Sequence, residues 1–76
     1  MQDNNKGNFF YKRLGKRLII ERKRRKLTQE DVAILSEVDR TYLARIEEGK
    51  ANPTIKTLGK ISKAFKIKLY SLLIGV

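Results

Sequence analysis

The sequence predicts a compact all-α protein of five helices, in which the second and third helices are short and tightly joined. Residues that cap helix starts stand at Thr28, Asp39 and Thr54, and residues that end helices stand at Gly49 and Pro53. Between these points apolar residues recur every three or four positions, as they do on the buried side of a helix. Segments bounded in this way are typical of amphipathic helices that share one core.

Size and composition limit the classes of function that are compatible with the chain, before any motif is considered. The chain has 76 residues, with 18 Lys and Arg against 8 Asp and Glu, giving a formal net charge of +10. A domain this small buries only about 60% of its surface, so dimer formation would stabilise it. The charge favours a polyanionic partner, either nucleic acid or an acidic membrane surface. Because cysteine and histidine are absent, we predict no metal, no cofactor and no enzymatic activity.

The ends of the sequence set the predicted domain organisation. Residues 1–8 are polar and aperiodic and predict a flexible arm, whereas residues 9–76 predict one folded domain. No segment approaches the roughly 20 apolar residues of a membrane-spanning helix, and the first residues lack the apolar stretch of a secretory signal. We therefore expect a cytoplasmic protein.

The first predicted helix runs from about Phe9 to Arg25. Phe10, Leu14 and Leu18 share one of its faces. The basic run at residues 22–26 suits the negative end of the helix dipole. Two interpretations of this run stay open, a solvated helix end and a patch that faces phosphates.

The second and third helices are predicted from their caps. Thr28 is placed to cap the second helix, with Asp31 three residues later as a shorter substitute for the glutamate of a capping box. Asp39 is placed to cap the third helix, after a connection of only about three residues. Two short helices joined this tightly cross steeply, which predicts a helix-turn-helix from Gln29 to Glu48.

The last two helices are predicted from apolar spacing after the break at Pro53. The core stripe predicted for the fourth helix is Ile55, Leu58, Ile61 and Phe65. A short fifth helix is predicted from about Leu69, with Leu69 and Leu72 facing inward. The residues predicted to face a second copy of the chain are Tyr70, Leu73 and Ile74.

The motifs at residues 27–33, 38–43, 46–49 and 52–54 resemble, in this order, the phage-repressor-like family of helix-turn-helix regulators, of the Cro/repressor or Xre type. The resemblance covers about residues 12–74. It implies a lambda-repressor-like domain that regulates transcription by binding a palindromic operator as a homodimer, with the third helix in the major groove. The small size and the run at residues 39–42 look most like the controller proteins of restriction–modification systems. Plasmid and phage repressors share much of this pattern.

The resemblance also has local consequences. It implies a structural ion pair between Arg22 and Glu47, which would tie the first helix to the third. Glu37 and Lys26 stand where the family usually has glycine or, in the turn, asparagine, and a left-handed backbone at Glu37 costs about 1 kcal/mol. Glu21 stands where the family prefers an apolar residue, so either the first helix is rotated or Glu21 pairs with a nearby arginine.

Candidate DNA contacts follow from the third helix and its neighbours. The residues predicted to read bases are Arg40, Thr41 and Arg45, because their side chains can reach one groove together. For Arg40 we expect a guanine, since a bidentate pair is worth about 1–3 kcal/mol of discrimination. The residues predicted to bind phosphates are Gln29, Tyr42, Lys50, Asn52, Lys56 and Thr57.

Two other function classes remain. In one, the chain is an antitoxin-like module that masks a protein partner through Ile34, Leu35, Leu73 and Ile74, with autoregulatory DNA binding secondary. In the other, residues 12–26 form a membrane-surface helix, which the narrow apolar face disfavours. The expected partners are double-stranded DNA in the nucleoid, a second copy, and either RNA polymerase or another protein, but no membrane. Polymerase contact is suggested by location alone for Glu30, Asp31 and Ile34.

Overall fold

Five helices account for most of residues 4–76, which are the residues that this computed structural model describes; side chains are described from Phe9 onward. The helices are α1 (Asn4–Arg24), α2 (Gln29–Ser36), α3 (Arg40–Glu47), α4 (Ile55–Ala64) and α5 (Leu69–Leu73). The prediction of an all-α fold with a central helix-turn-helix is confirmed.

The first helix is longer than its sequence pattern predicted. It begins at Asn4 rather than Phe9, so residues 4–8 of the predicted arm are helical, while residues 1–3 of that arm lie outside the described residues. Residues 4–8 contain no proline, and the single Gly7 costs a helix only about 1 kcal/mol. Apolar periodicity shows which part of a helix can bury a face, and the helix itself extends beyond that part.

The core is built from one apolar face of each helix. Its buried members are Leu14, Leu18, Val32, Val38, Leu43, Ile46, Leu58, Ile61, Phe65 and Leu72. In this arrangement α1 packs on α3 and α5, and α2 packs on α3 and α4. The prediction that Ile55 belongs to the core stripe of α4 is wrong, because this side chain is 63% exposed. Ile55 is the first residue of α4, and the helix enters the core only one turn later.

Because Gly15 has no side chain, the backbone of α1 can contact the backbone at the end of α3. A Cβ atom at this position would lie 2.4 Å from the carbonyl oxygen of Glu47 and 2.6 Å from that of Ile46. By contrast, a Cβ atom at Gly59 in α4 would meet nothing within 4 Å. The α1–α3 contact therefore depends on the absence of a side chain at Gly15, and it fixes where the C-terminal turn of α3 sits.

Glu21 is buried on α1 and pairs with two arginines, one at the end of that helix and one directly after it. Its Oε1 atom lies 2.6 Å from Arg25 Nη1 and 3.4 Å from Arg24 Nη1. Arg25 also donates to the Phe65 carbonyl oxygen at 3.1 Å and lies over the Phe65 ring. Of the two outcomes expected at Glu21, the structure shows pairing, and the pair joins the end of α1 to the end of α4.

Two kinds of feature are absent from the described part of the chain. None of its helices combines the length and the apolar character needed to cross a bilayer. Nor do the side chains of residues 9–76 include three or more acidic groups close enough together to hold a metal ion.

Candidate nucleic-acid interface

The N-terminus of α2 is fixed by a capping box. The Asp31 amide donates to Thr28 Oγ1 at 3.0 Å, and the Thr28 amide donates to Asp31 Oδ2 at 2.8 Å. The hydrogen bond from the Thr28 amide, and secondly the Thr28 side chain, stabilise the Asp31 carboxylate and hold the pKa of Asp31 below its ordinary value. The shorter aspartate therefore takes the place of the usual glutamate, as the sequence predicted, and it sets the start of the helix-turn-helix.

The turn between α2 and α3 uses a left-handed residue that is not glycine. Glu37 has φ 58° and ψ 36°, and its amide donates to the Ala33 carbonyl oxygen. Val38 enters the core, and Asp39 Oδ2 accepts from the Tyr42 amide at 3.2 Å to cap α3. The left-handed turn implied by the family pattern is therefore present. The same backbone conformation occurs at Lys26, with φ 58°.

A buried polar network joins α1, α2 and α3. Arg22 Nε lies 2.7 Å from Glu47 Oε2, and Arg22 Nη2 lies 3.1 Å from Glu47 Oε1. The two side chains are only 12% and 4% exposed. Gln29 Nε2 donates to Glu47 Oε1 at 2.9 Å, and Arg22 Nη1 donates to the Leu27 carbonyl oxygen at 3.0 Å. We call Arg22, Gln29 and Glu47 the brace.

The structure thus brings together the two partners of the predicted ion pair and adds Gln29 to them. Sequence reasoning assigned Gln29 to phosphate binding alone and missed this contact, because residues 29 and 47 meet only after the helices have packed. The bidentate geometry satisfies both charges, which is the condition under which a buried ion pair is tolerated. The brace also fixes the orientation of the Gln29 amide at the start of α2.

The outward face of α3 consists of Arg40, Thr41 and Arg45, which are all exposed. Leu43 and Ile46, on the opposite side, are each 1% exposed. Among residues 9–76, whose side chains are described, no ion pair involves Arg40. Arg45 Nη2 donates to the Lys50 carbonyl oxygen at 3.0 Å, so one of its five donors is engaged by the segment after α3. The helix presents two guanidinium groups and one hydroxyl to solvent.

The six predicted phosphate ligands occupy three positions. Gln29 begins α2, and Tyr42 is half-buried on α3 and packs against the core. Lys50, Asn52 and Lys56 are exposed on the segment after α3 and the first turn of α4, with Lys50 Nζ 3.8 Å from Glu48 Oε1. The Thr57 amide donates to Thr54 Oγ1 at 3.0 Å, and the two hydroxyls are hydrogen-bonded. Thr57 therefore takes part in the cap of α4, a role that sequence reasoning missed.

The three residues predicted for a dimer surface differ in exposure. Tyr70 and Ile74 are 63% and 59% exposed, whereas Leu73 is half-buried against the core. Arg17 of α1 donates to the carbonyl oxygens of Ser71 and Ile74. These bonds cap the C-terminus of α5 with a positive charge. The sequence does not predict this role of Arg17, since no local pattern connects residues so far apart.

Comparison with known proteins adds sequence relatives to this geometry. The profile of the helix-turn-helix family HTH_3 matches residues 18–72. The immunity repressor protein of Bacillus phage phi105 is 39% identical over 56 residues, covering 74% of this chain and 39% of that protein. The HTH-type transcriptional regulator DdrOP3 of Deinococcus deserti is 33% identical over 64 residues, covering 84% of this chain and 50% of that protein. The chain therefore spans half the length or less of these two relatives, both named as regulators.

A solved structure of similar size also matches. The restriction-modification controller protein C.AhdI from Aeromonas hydrophila is similar to this chain with a TM-score of 0.80 and 32% sequence identity. The match covers 82% of this chain and 94% of that chain.

Proposed function

Because the chain belongs to the helix-turn-helix family HTH_3, we propose that it is a sequence-specific transcriptional regulator that binds a palindromic operator as a homodimer. The observation that carries this proposal is the division of α3 into a buried side and an outward face of two arginines and a threonine. A helix held in this way inserts into the major groove as a rigid body. No catalytic role is proposed.

Base reading is assigned to the outward face of α3. Arg40 lies at the first position of α3 and donates to O6 and N7 of a guanine. Thr41 contacts a thymine methyl group or a phosphate. Arg45 keeps its bond to the Lys50 carbonyl and uses its remaining donors on a base or a phosphate.

Phosphate binding is assigned to the two helix N-termini that flank α3 in sequence and to the side chains near them. Free amide groups and the helix dipole at the start of α2 favour a phosphate, and the brace holds the Gln29 amide there. Lys50, Asn52 and Lys56 supply charge and hydrogen bonds on the other side, with Tyr42 adding its hydroxyl. These contacts position the protein without reading sequence.

The DNA-binding proposal is tested by measuring affinity for the DNA upstream of the gene and for a shuffled duplex of equal composition. Both affinities are measured at low and at moderate salt. We expect the native duplex to bind about 10³-fold more tightly or better at moderate salt, and both affinities to fall steeply as salt rises. Equal affinity for the two duplexes would show that binding is electrostatic only, and sequence-specific regulation would be wrong.

The homodimer proposal assigns the contact to Tyr70, Leu73 and Ile74. Tyr70 in the first turn of α5 and Ile74 at its C-cap are more than half exposed, and a domain this small gains stability when such surface is covered. Sedimentation of the wild type and of Ile74→Glu tests it. We expect a dimer for the wild type and a folded monomer for the variant; a wild-type monomer at micromolar concentration would contradict the assignment.

The controller role is the finer part of the proposal. It is supported by the similarity to a controller protein of nearly the same length, 94% of which is covered. Genes for a DNA methyltransferase and an endonuclease beside this gene would support it, and deleting the regulator should then change the transcription of the endonuclease gene. If the amount of endonuclease transcript is unchanged, the controller role is wrong and the broader role of repressor remains.

A further inference from the structure

An open cleft lies between the C-terminal ends of α2 and α4. Its volume is about 450 Å³, and it is lined by Leu35, Glu37, Lys60, Lys63, Ala64 and Lys66, among others. We call it the lysine cleft. None of the residues assigned to DNA binding lines it. Gln29 and the phosphate position stand at the opposite end of α2, about 10 Å away at the rise of 1.5 Å per residue.

The floor of the lysine cleft is apolar and open to solvent. Leu35 is 57% exposed, and the neighbouring Ile34 is 68% exposed. Ala64 is half-buried on the facing helix. The exposed Leu35 side chain therefore gives the cleft an apolar surface that a partner side chain can cover.

The rim of the lysine cleft is positive. Lys60, Lys63 and Lys66 contribute three charges, against one from Glu37. Within the described residues none of these lysines takes part in an ion pair. Lys60 and Lys63 are three residues apart on α4, so their charges lie on the same side of the helix and repel each other. A ligand that brings carboxylates to this rim removes that repulsion.

From this combination we propose that the lysine cleft binds an acidic peptide segment of a partner protein. An apolar side chain of the segment packs on Leu35 and Ala64, and carboxylates flanking it pair with Lys60, Lys63 and Lys66. A peptide is favoured over duplex DNA because an exposed apolar surface contributes nothing to phosphate binding, whereas it can be covered by an apolar side chain of a peptide. The proposal is independent of operator binding, which uses the outward face of α3.

The test uses ¹⁵N-labelled wild-type protein and a synthetic peptide of glutamates that carries two leucines one helical turn apart. A second peptide has serine in place of both leucines, and a short duplex DNA serves as the nucleic-acid probe. Amide shifts locate each probe on the protein, and titration gives its affinity. We expect the leucine peptide to shift residues 34–37 and 60–66, and the serine peptide to bind roughly tenfold more weakly.

Substitutions distinguish peptide binding at the lysine cleft from attraction of the peptide by the net positive charge of the chain. Lys60→Glu/Lys63→Glu reverses two charges on the rim, and Lys16→Glu/Lys23→Glu makes the same change at exposed positions of α1. We expect the first pair of substitutions to weaken binding of the leucine peptide by roughly tenfold or more. The second pair should weaken this binding much less. Leu35→Ser tests the floor without altering charge, and circular dichroism checks that each variant is folded.

Several results would overturn the proposal. Equal loss of affinity in the two charge-reversed pairs would mean that the peptide senses net charge only. Equal binding of the leucine and serine peptides, or an unchanged affinity for Leu35→Ser, would remove the apolar anchor. Shifts of residues 34–37 and 60–66 by the duplex DNA would assign the cleft to nucleic acid instead.

Discussion

The two sides of α3 differ in their contacts with the rest of the protein. On the inward side Leu43 and Ile46 are 1% exposed and Glu47 is 6% exposed, and each contacts other helices. On the outward side Arg40 and Thr41 are exposed at the first turn of the helix. The difference teaches that stability and recognition lie on separate residues of the same eight-residue helix. Substitutions on one side should change the free energy of unfolding, and substitutions on the other should change DNA affinity.

The largest expected effect comes from Glu47→Ala, on the inward side. This change leaves the Arg22 guanidinium buried with one carbonyl partner and leaves the Gln29 amide without its acceptor. We expect a loss of about 3–5 kcal/mol in the free energy of unfolding, measured by urea denaturation.

The control for that change is Glu48→Ala, one residue further along. Glu48 is exposed and pairs with Lys50 at 3.8 Å, so its removal should cost less than about 1 kcal/mol. Equal losses for the two alanine variants would mean that the brace contributes nothing beyond surface charge, and the comparison between the two sides of α3 would fail.

The next effect tests the backbone contact that seats α3 on α1. Replacing a helical glycine with alanine ordinarily stabilises a helix by about 1 kcal/mol. At Gly15 the added methyl group meets the Glu47 and Ile46 carbonyls, so we expect Gly15→Ala to destabilise by about 1–3 kcal/mol. Gly59→Ala, with open space around it, should stabilise by about 0.5–1 kcal/mol. If thermal denaturation shows that both substitutions change stability in the same direction, the contact between α1 and α3 at Gly15 is looser than the structure shows.

A smaller effect is expected in the turn that leads into α3. Glu37 has a left-handed backbone, in which a side chain is strained. Glu37→Gly removes that strain but frees the unfolded chain, so we expect a net gain of up to about 1 kcal/mol in urea denaturation. Glu30→Gly, in the first turn of α2, is the control and should lose about 1 kcal/mol. A loss at Glu37 as large as that at Glu30 would contradict the left-handed turn.

The smallest effect is a pH dependence at the start of α2. The Thr28 hydrogen bonds lower the folded-state pKa of Asp31, so its carboxylate stabilises the protein at pH values above its unfolded-state pKa. That stabilisation is lost as the pH falls through the lower, folded-state pKa. Wild type should therefore exceed Asp31→Asn in thermal stability at neutral pH, and the gap should close in acid. A gap that stays constant down to the acid end would contradict this account.

The sequence predicted the contacts between residues that are close together in the chain. It missed the contacts that form only when the helices pack. Thr28, Asp39 and Thr54 bond to amides three residues away, so their capping roles follow from the sequence itself. The contact of Gln29 with Glu47 and the close approach at Gly15 exist only because α1, α2 and α3 pack together. The error at a helix start, Ile55, has the same origin, since periodicity does not show where a helix meets the core.

The central claim is that the outward face of α3 reads DNA while the inward face holds the helix. Selection of binding sites from a random duplex library by wild type and by Arg40→Ala, followed by sequencing, tests it most directly. We predict that wild type selects a palindrome. Arg40→Ala should lose the preference for one guanine in each half-site, about 1–3 kcal/mol of discrimination, with an unchanged urea midpoint. Selection of the same guanine by both proteins, or no common site for wild type, would contradict the claim.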